Sequence, residues 1–258
     1  MAASTEFYKS SRLAYGYAYH RPLVHAGIIE RVREQLGLKT KLSRALDIGC
    51  GAGLSTAALQ PLANEVIGIE PIIEMLAHRE AVTTTAQFVI AKAEQLPFAD
   101  HSFELMTAAG ALNYADLDQF FPEAVRVLTP NGMLVIYDFS EGRRLVNDPR
   151  LEDWYATFKQ RYPAPSGYAL DVETLNYNRY GLKLHAYEIH EVAVPMTLNS
   201  YLQYALSETS VELAISHGTP EAEIHNWCHS TLSTIFDETP RDVLFDAYIA
   251  YVNRKSYL

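Results

Sequence analysis

The stretch Ala45-Leu46-Asp47-Ile48-Gly49-Cys50-Gly51-Ala52-Gly53-Leu54-Ser55-Thr56 reads as a short strand, a glycine loop and the opening of a helix. Glycines at alternate positions let the backbone turn tightly and approach a ligand more closely than any side chain permits. The spacing excludes two common ligands. The dinucleotide fingerprint Gly-x-Gly-x-x-Gly fails, because from Gly49 or Gly51 its third glycine falls on Leu54 or Thr56. The phosphate loop that ends in Gly-Lys-Ser or Gly-Lys-Thr fails as well, since no lysine stands between Lys41 and Lys92.

Downstream, apolar runs alternate with amphipathic stretches. Glu65 to Ile69, Gln87 to Ile90, Phe103 to Thr107 and Met133 to Phe139 read as strands. Between the last two, Leu117, Phe120, Phe121, Ala124, Val127 and Leu128 recur at helical spacing and stop before Pro130-Asn131-Gly132. Strand and helix in turn imply a Rossmann-like α/β fold: a mostly parallel, seven-stranded sheet with helices on both faces. Val66-Ile67-Gly68-Ile69-Glu70-Pro71 puts an acid at a strand's C-terminal end, where a carboxylate can accept both hydroxyls of a ribose.

Upstream, an aromatic arm carries Phe7, Tyr8, Tyr15, Tyr17 and Tyr19 and ends at Arg21-Pro22, which favours an extended Arg21. A helix follows through Ile28, Ile29, Val32 and Leu36 and stops at Gly37. Beyond Gly142 the rhythm changes. Leu151, Trp154, Tyr155 and Phe158 suggest a helix and Tyr162 to Gly167 a rigid loop. Leu184 to Val194 suggests a strand, with further helices through Leu198 to Leu206 and Ile224 to Ile235. The apolar run Val243 to Val252 reads as a buried strand. The expected organisation is one domain over 1–258: a core at 22–142, capping helical insertions at 143–182 and 195–241, and last strands at 183–194 and 242–254.

Of the 258 residues 48% are hydrophobic and 20% charged, as in an ordinary globular chain. The formal charge of −10 opposes a phosphate-binding face, so no nucleic-acid partner is expected. Two distant cysteines, Cys50 and Cys228, make no disulfide framework. With no signal pattern and no apolar run near the roughly 18 residues of a membrane span, the chain reads as cytoplasmic, off the membrane, and a monomer or homodimer.

The motif Asp47-x-Gly49-x-Gly51-x-Gly53 resembles the first motif of class I S-adenosylmethionine-dependent methyltransferases. The resemblance continues through Met75, Ala91 to Phe98, Ser102 to Leu105 and Glu123 to Gly132, and is similar to the small-molecule branch called methyltransferase type 11, over about residues 44–140. It implies S-adenosylmethionine as cofactor and a small-molecule methyl acceptor. Asp47 would then lie near the cofactor's ammonium group and Glu70 on its ribose. Gly49, Cys50, Gly51, Gly53, Pro71, Met75, Ala93, Glu94 and Ala109 would complete the cofactor site. Two positions depart from the family: Lys92 stands where an Asp is usual, and Asn113 where a His is usual.

Ligands of open α/β sheets bind at the carboxyl ends of the strands, which brings Asn113, Tyr114 and Asp138 near the site, with Asp138 as first choice of general base. The arm from Tyr15 to His20 is expected to fold over, giving Tyr15 and Tyr19 to the acceptor. Tyr162, with Trp154, Tyr155, Tyr201 and Trp227, lines a lid in one reading and fills a core in the other. His225, Cys228 and His229 share a helical face, but no fourth ligand is evident and no metal is assigned. The competing functions are a non-catalytic S-adenosylmethionine sensor or partner subunit, a nicotinamide oxidoreductase, and methylation of a protein or RNA.

Overall fold

Five strands, β1 (Leu42–Ile48), β2 (Ala63–Ile69), β3 (Gln87–Val89), β4 (Phe103–Ala109) and β5 (Leu128–Phe139), lie parallel in the order β3-β2-β1-β4-β5. The computed structural model in which they are seen describes residues 5–165, 170–237 and 239–255. Ser166 and Gly167 of the expected rigid loop lie outside the described residues. β6 (Arg144–Leu145), β7 (Leu182–Met196) and β8 (Arg241–Arg254) complete the sheet, with β8 antiparallel to β5, β6 and β7. The sheet has eight strands rather than seven, because two-residue β6 is too short to leave a periodic signal. The apolar run near the C-terminus is a strand, β8, paired on both edges.

Successive residues of a strand face opposite sides of the sheet, and β1 feeds both cores: Ala45 points into one, Leu46 and Ile48 into the other. Helices α1 (Ser11–His20) and α2 (Val24–Gln35) precede β1, and α3 (Leu54–Leu59) leads from it to β2. α4 (Arg79–Val82) precedes β3, and α5 (Leu117–Val127) joins β4 to β5. α5 stops one residue earlier than its apolar spacing suggested: Leu128 already belongs to β5, where it pairs with Phe103. Tertiary pairing there overrides the helical pattern.

The later elements cover both faces of the sheet. α6 (Arg150–Arg161), α7 (Leu198–Leu206) and α9 (Glu221–Leu232) join α2 and α3 on the first face, and the 3-10 turn Tyr177–Tyr180 joins α5 on the second. α8 (Thr209–Ser216) lies between α7 and α9. The aromatic stripe is therefore core. Trp154 stacks on Phe158 and Trp227 at centroid distances of 5.1 and 5.8 Å, and its Nε1 donates to Thr231 Oγ1 at 2.8 Å. Cys228 is fully buried beside this stack and the His225 and His229 rings lie parallel at 6.1 Å. Among the described residues no group of three or more His, Cys, Asp or Glu is placed to hold a metal ion, and no described helix is long and apolar enough to cross a membrane.

A Trp154→Ala variant removes the centre of this stack. It should lower the unfolding free energy by about 3–5 kcal/mol, read from urea denaturation; a loss under about 1 kcal/mol would mean that Trp154 is not a core residue.

Candidate active site

Asp47, at the end of β1, is fully buried and accepts hydrogen bonds from Ser55 Oγ (2.6 Å), Thr56 Oγ1 (2.7 Å) and Thr107 Oγ1 (2.8 Å). Burial pushes its carboxyl above the ordinary carboxylate range, and the three hydroxyls hold it down. Asp47 does not reach the cavity described below, which corrects its placement beside a ligand ammonium group. All three of its hydroxyl partners come from α3 and β4, so it fixes the strand-to-helix turn from beneath.

Above Asp47 the loop runs with φ of +64° at Gly49 and +98° at Gly53, a region that favours glycine. A Cβ on Gly49 would lie 2.5 Å from that of Ala111, and one on Gly53 would lie 2.8 Å from the Phe88 ring. Gly53 thus serves the turn and the packing of Phe88 rather than lining the cavity, a second correction. Glu70, just past β2, is 6% exposed and ties the loop from its other side. Its Oε2 accepts from Gly51 N and its Oε1 from Ile72 N, both at 3.0 Å. Each oxygen keeps lone-pair capacity for a ligand hydroxyl. Burial raises the Glu70 carboxyl above its ordinary value.

A cavity of about 810 Å³ opens over this loop at the carboxyl ends of β1, β2, β4 and β5. Gly49, Cys50, Gly51, Glu70, Pro71 and Met75 form one wall, and Ala93, Glu94 and Ala109 continue it. Lys92 also reaches the cavity, while Glu94 accepts from Asp116 N at 2.8 Å.

Asn113, Tyr114 and Asp138 also line this cavity. Asn113 Oδ1 accepts from Leu170 N at 3.1 Å and so holds the following chain against the site. The Tyr114 hydroxyl meets that of Tyr8 at 3.1 Å, with the rings edge to face at 5.7 Å. Asp138 Oδ1 accepts from Phe139 N at 2.9 Å, and burial pushes this carboxyl up to about 6.

Tyr15, Tyr19 and Tyr162 are displaced from their expected role. Tyr15 and Tyr19 are about half exposed and pack on His78 outside the cavity, and Tyr162 is buried against Phe158 and Trp227. Residues two apart on a helix point about 200° apart, so α1 turns Tyr17 inward where it turns Tyr15 and Tyr19 out. Tyr8, Tyr17, Arg21, His25 and Tyr204 take the places that sequence reading missed. Only the Tyr8 and Tyr17 positions had a signal, the aromatic arm itself, and its helical phase would have separated the two faces. His25 Nδ1 lies 2.9 Å from the Tyr137 hydroxyl, and burial lowers its pKa to about 4, so it is neutral near pH 7.

The family model described as a methyltransferase domain matches residues 46–136. A Dictyostelium discoideum protein described as a methyltransferase is 29% identical over 137 residues, 52% of either chain. The ubiquinone/menaquinone biosynthesis C-methyltransferase of Geotalea daltonii is 36% identical over 110 residues, 39% of this chain and 47% of that one. This chain thus spans about half the length, or less, of these curated relatives. Over 91% of this chain and 97% of the other, the fold matches an Anaeromyxobacter dehalogenans protein described as a type II methyltransferase, with a TM-score of 0.66 at 20% identity.

The raised Asp138 carboxyl yields a stability test. Between its ordinary value near 3.8 and about 6 the folded chain holds a proton that the unfolded chain has lost, so stability falls as pH rises through that window. Asp138→Asn should therefore be more stable than wild type by about 3 kcal/mol at pH 8 and no more stable at pH 4. Thermal unfolding at both pH values checks this; an equal effect at both would show that the carboxyl is not raised.

Proposed function

We propose that this chain, whose residues 46–136 match a methyltransferase domain, is a class I S-adenosylmethionine-dependent methyltransferase that transfers the cofactor's methyl group to a small-molecule acceptor. The observation that carries this reading is the placement of two carboxylates, Glu70 buried and Asp138 half-buried, on one cavity. Glu70 is tied to the glycine loop through Gly51 N, and Asp138 stands near the end of β5 beside Gly110. One is suited to a diol, the other to a proton.

The residues present fit the cofactor. Glu70 would accept the ribose hydroxyls, the Gly49 to Gly51 backbone would lie against the methionine part, and Pro71 and Met75 would offer apolar surface to the base. When bound, the cofactor supplies a methyl group already activated by its sulfonium. The chain's task is then alignment, exclusion of water and removal of a proton. Asp138 accepts that proton, and the Tyr8–Tyr114 contact ties the segment before α1 to the cavity wall. Asn113 does not act as a base: its amide side chain has no proton-accepting strength and its oxygen holds Leu170. The likeness to a quinone C-methyltransferase supports a small acceptor without naming it.

Calorimetric titration with S-adenosylhomocysteine tests the cofactor side. Binding should be micromolar for wild type and weaker by at least about tenfold for Glu70→Ala, the loss expected from charge-assisted hydrogen bonds; no binding by wild type would overturn the proposal. With an acceptor in hand, kcat/KM should fall below pH of about 6 as Asp138 is protonated, and Asp138→Asn should cost on the order of 10²-fold. Binding without turnover on any acceptor would make the chain a cofactor sensor instead.

A further inference from the structure

The acceptor half of the cavity is aromatic and carries carboxylates in excess. Its half-buried cation, Arg21, is already paired: Nη1 donates to Glu208 Oε1 at 3.0 Å and Nη2 to the Ser207 carbonyl at 3.1 Å. The guanidinium also lies over two ring faces, 4.2 Å from the Tyr17 centroid and 5.4 Å from that of Tyr204. His25 adds no charge near pH 7. At the mouth, Lys9 is paired with Glu6 at 2.9 Å, and Lys92 stands with Glu94 on the glycine-loop side.

Two acids remain. Asp138 has no salt-bridge partner among the described residues, and Glu141 reaches only Lys159, at 3.9 Å. Both line the cavity, together with the rings of Tyr8, Tyr114 and Phe139. Carboxylates beside aromatic faces favour a cation, through direct attraction and through the negative face of each ring.

We propose that the methyl acceptor is a primary or secondary amine that enters as its ammonium ion between Asp138, Glu141 and the Tyr8–Tyr114 pair. The proposal rests on the methyl-transfer reading above. The ammonium gives a proton to the Asp138 carboxylate. The freed nitrogen lone pair then forms the N–C bond as the methyl's C–S bond breaks, leaving its electron pair on sulfur. The products are an N-methylated ammonium ion, S-adenosylhomocysteine and a protonated Asp138, so charge and atoms balance.

Arg21 lines the cavity and its buried Nε has no hydrogen-bond partner among the described residues, so an acceptor oxygen that reached it would be satisfied there. Because Glu208 already neutralises the guanidinium, an uncharged oxygen satisfies it. A carboxylate there would meet Glu208, Asp138 and Glu141 together.

The test is displacement calorimetry on the full chain saturated with S-adenosylhomocysteine. The probes are benzylamine, phenethylamine and tryptamine, each beside its hydroxyl and carboxyl counterparts. Each amine should bind about tenfold more tightly than its alcohol, with the carboxylate weakest, as expected for a cation beside partly screened acids and ring faces. Asp138→Asn with Glu141→Gln should level the amine and alcohol, and its thermal melt shows whether it is folded. Alcohols or carboxylates binding as tightly as amines in wild type would overturn the proposal, and so would a ranking unchanged in the folded double variant. Failure of S-adenosylhomocysteine to bind wild type would strike the methyl-transfer reading itself, a different and separable result.

Discussion

A carboxylate taken out of water and handed three hydroxyl donors sets the geometry on which the site depends. Asp47 joins β1 to the first turn of α3 through Ser55 and Thr56, and to β4 through Thr107. A carboxyl group in an apolar interior is costly unless its oxygens are satisfied, and here three hydroxyl donors satisfy them. Strand, helix and neighbouring strand are thereby held in one relation. The glycine loop between them has little freedom left to vary, whatever its own conformational permissiveness.

Glu70, buried, and Asp138, half-buried, show desolvation put to different use. Both carboxyls are raised by desolvation, but Glu70 has two backbone N–H donors and Asp138 one. The better-satisfied acid is tied to the loop at two points and is suited to holding a ligand. The less satisfied one has a pKa near 6, close enough to neutral pH to take up a proton and release it. Position along the sheet separates the roles: Glu70 follows β2 and Asp138 stands near the end of β5.

The cofactor side was legible because its logic is local. From Asp47 to Thr56 and from Val66 to Pro71 the strand, turn and acid are contiguous, so spacing alone excluded the dinucleotide and phosphate-loop readings. The seven longer strands could be read from their apolar runs. Two things escaped. Asp47 looked like a ligand group because the sequence cannot reveal that Thr107, sixty residues away, would join Ser55 and Thr56 in claiming it. Tyr15 and Tyr19 were chosen from a tyrosine-rich arm whose inward face depends on helical phase, and that phase is set by the burial of Leu13, Ala14 and Gly16.

The acceptor side has no such contiguity. Tyr17 and Arg21 come from α1 and its C-terminal end, His25 from α2, Asp138 from β5, and Tyr204 from α7. Each has an ordinary local explanation, and Arg21 acquires its meaning only when Glu208 and two tyrosine rings close around it. With that cation paired to Glu208, Asp138 and Glu141 are cavity acids with no ion-pair partner among the described residues closer than Lys159, 3.9 Å from Glu141. The sign of the pocket is thus a tertiary property. It depends on which charges cancel, not on how many the chain carries, so the overall charge of −10 is no guide to what this cavity admits.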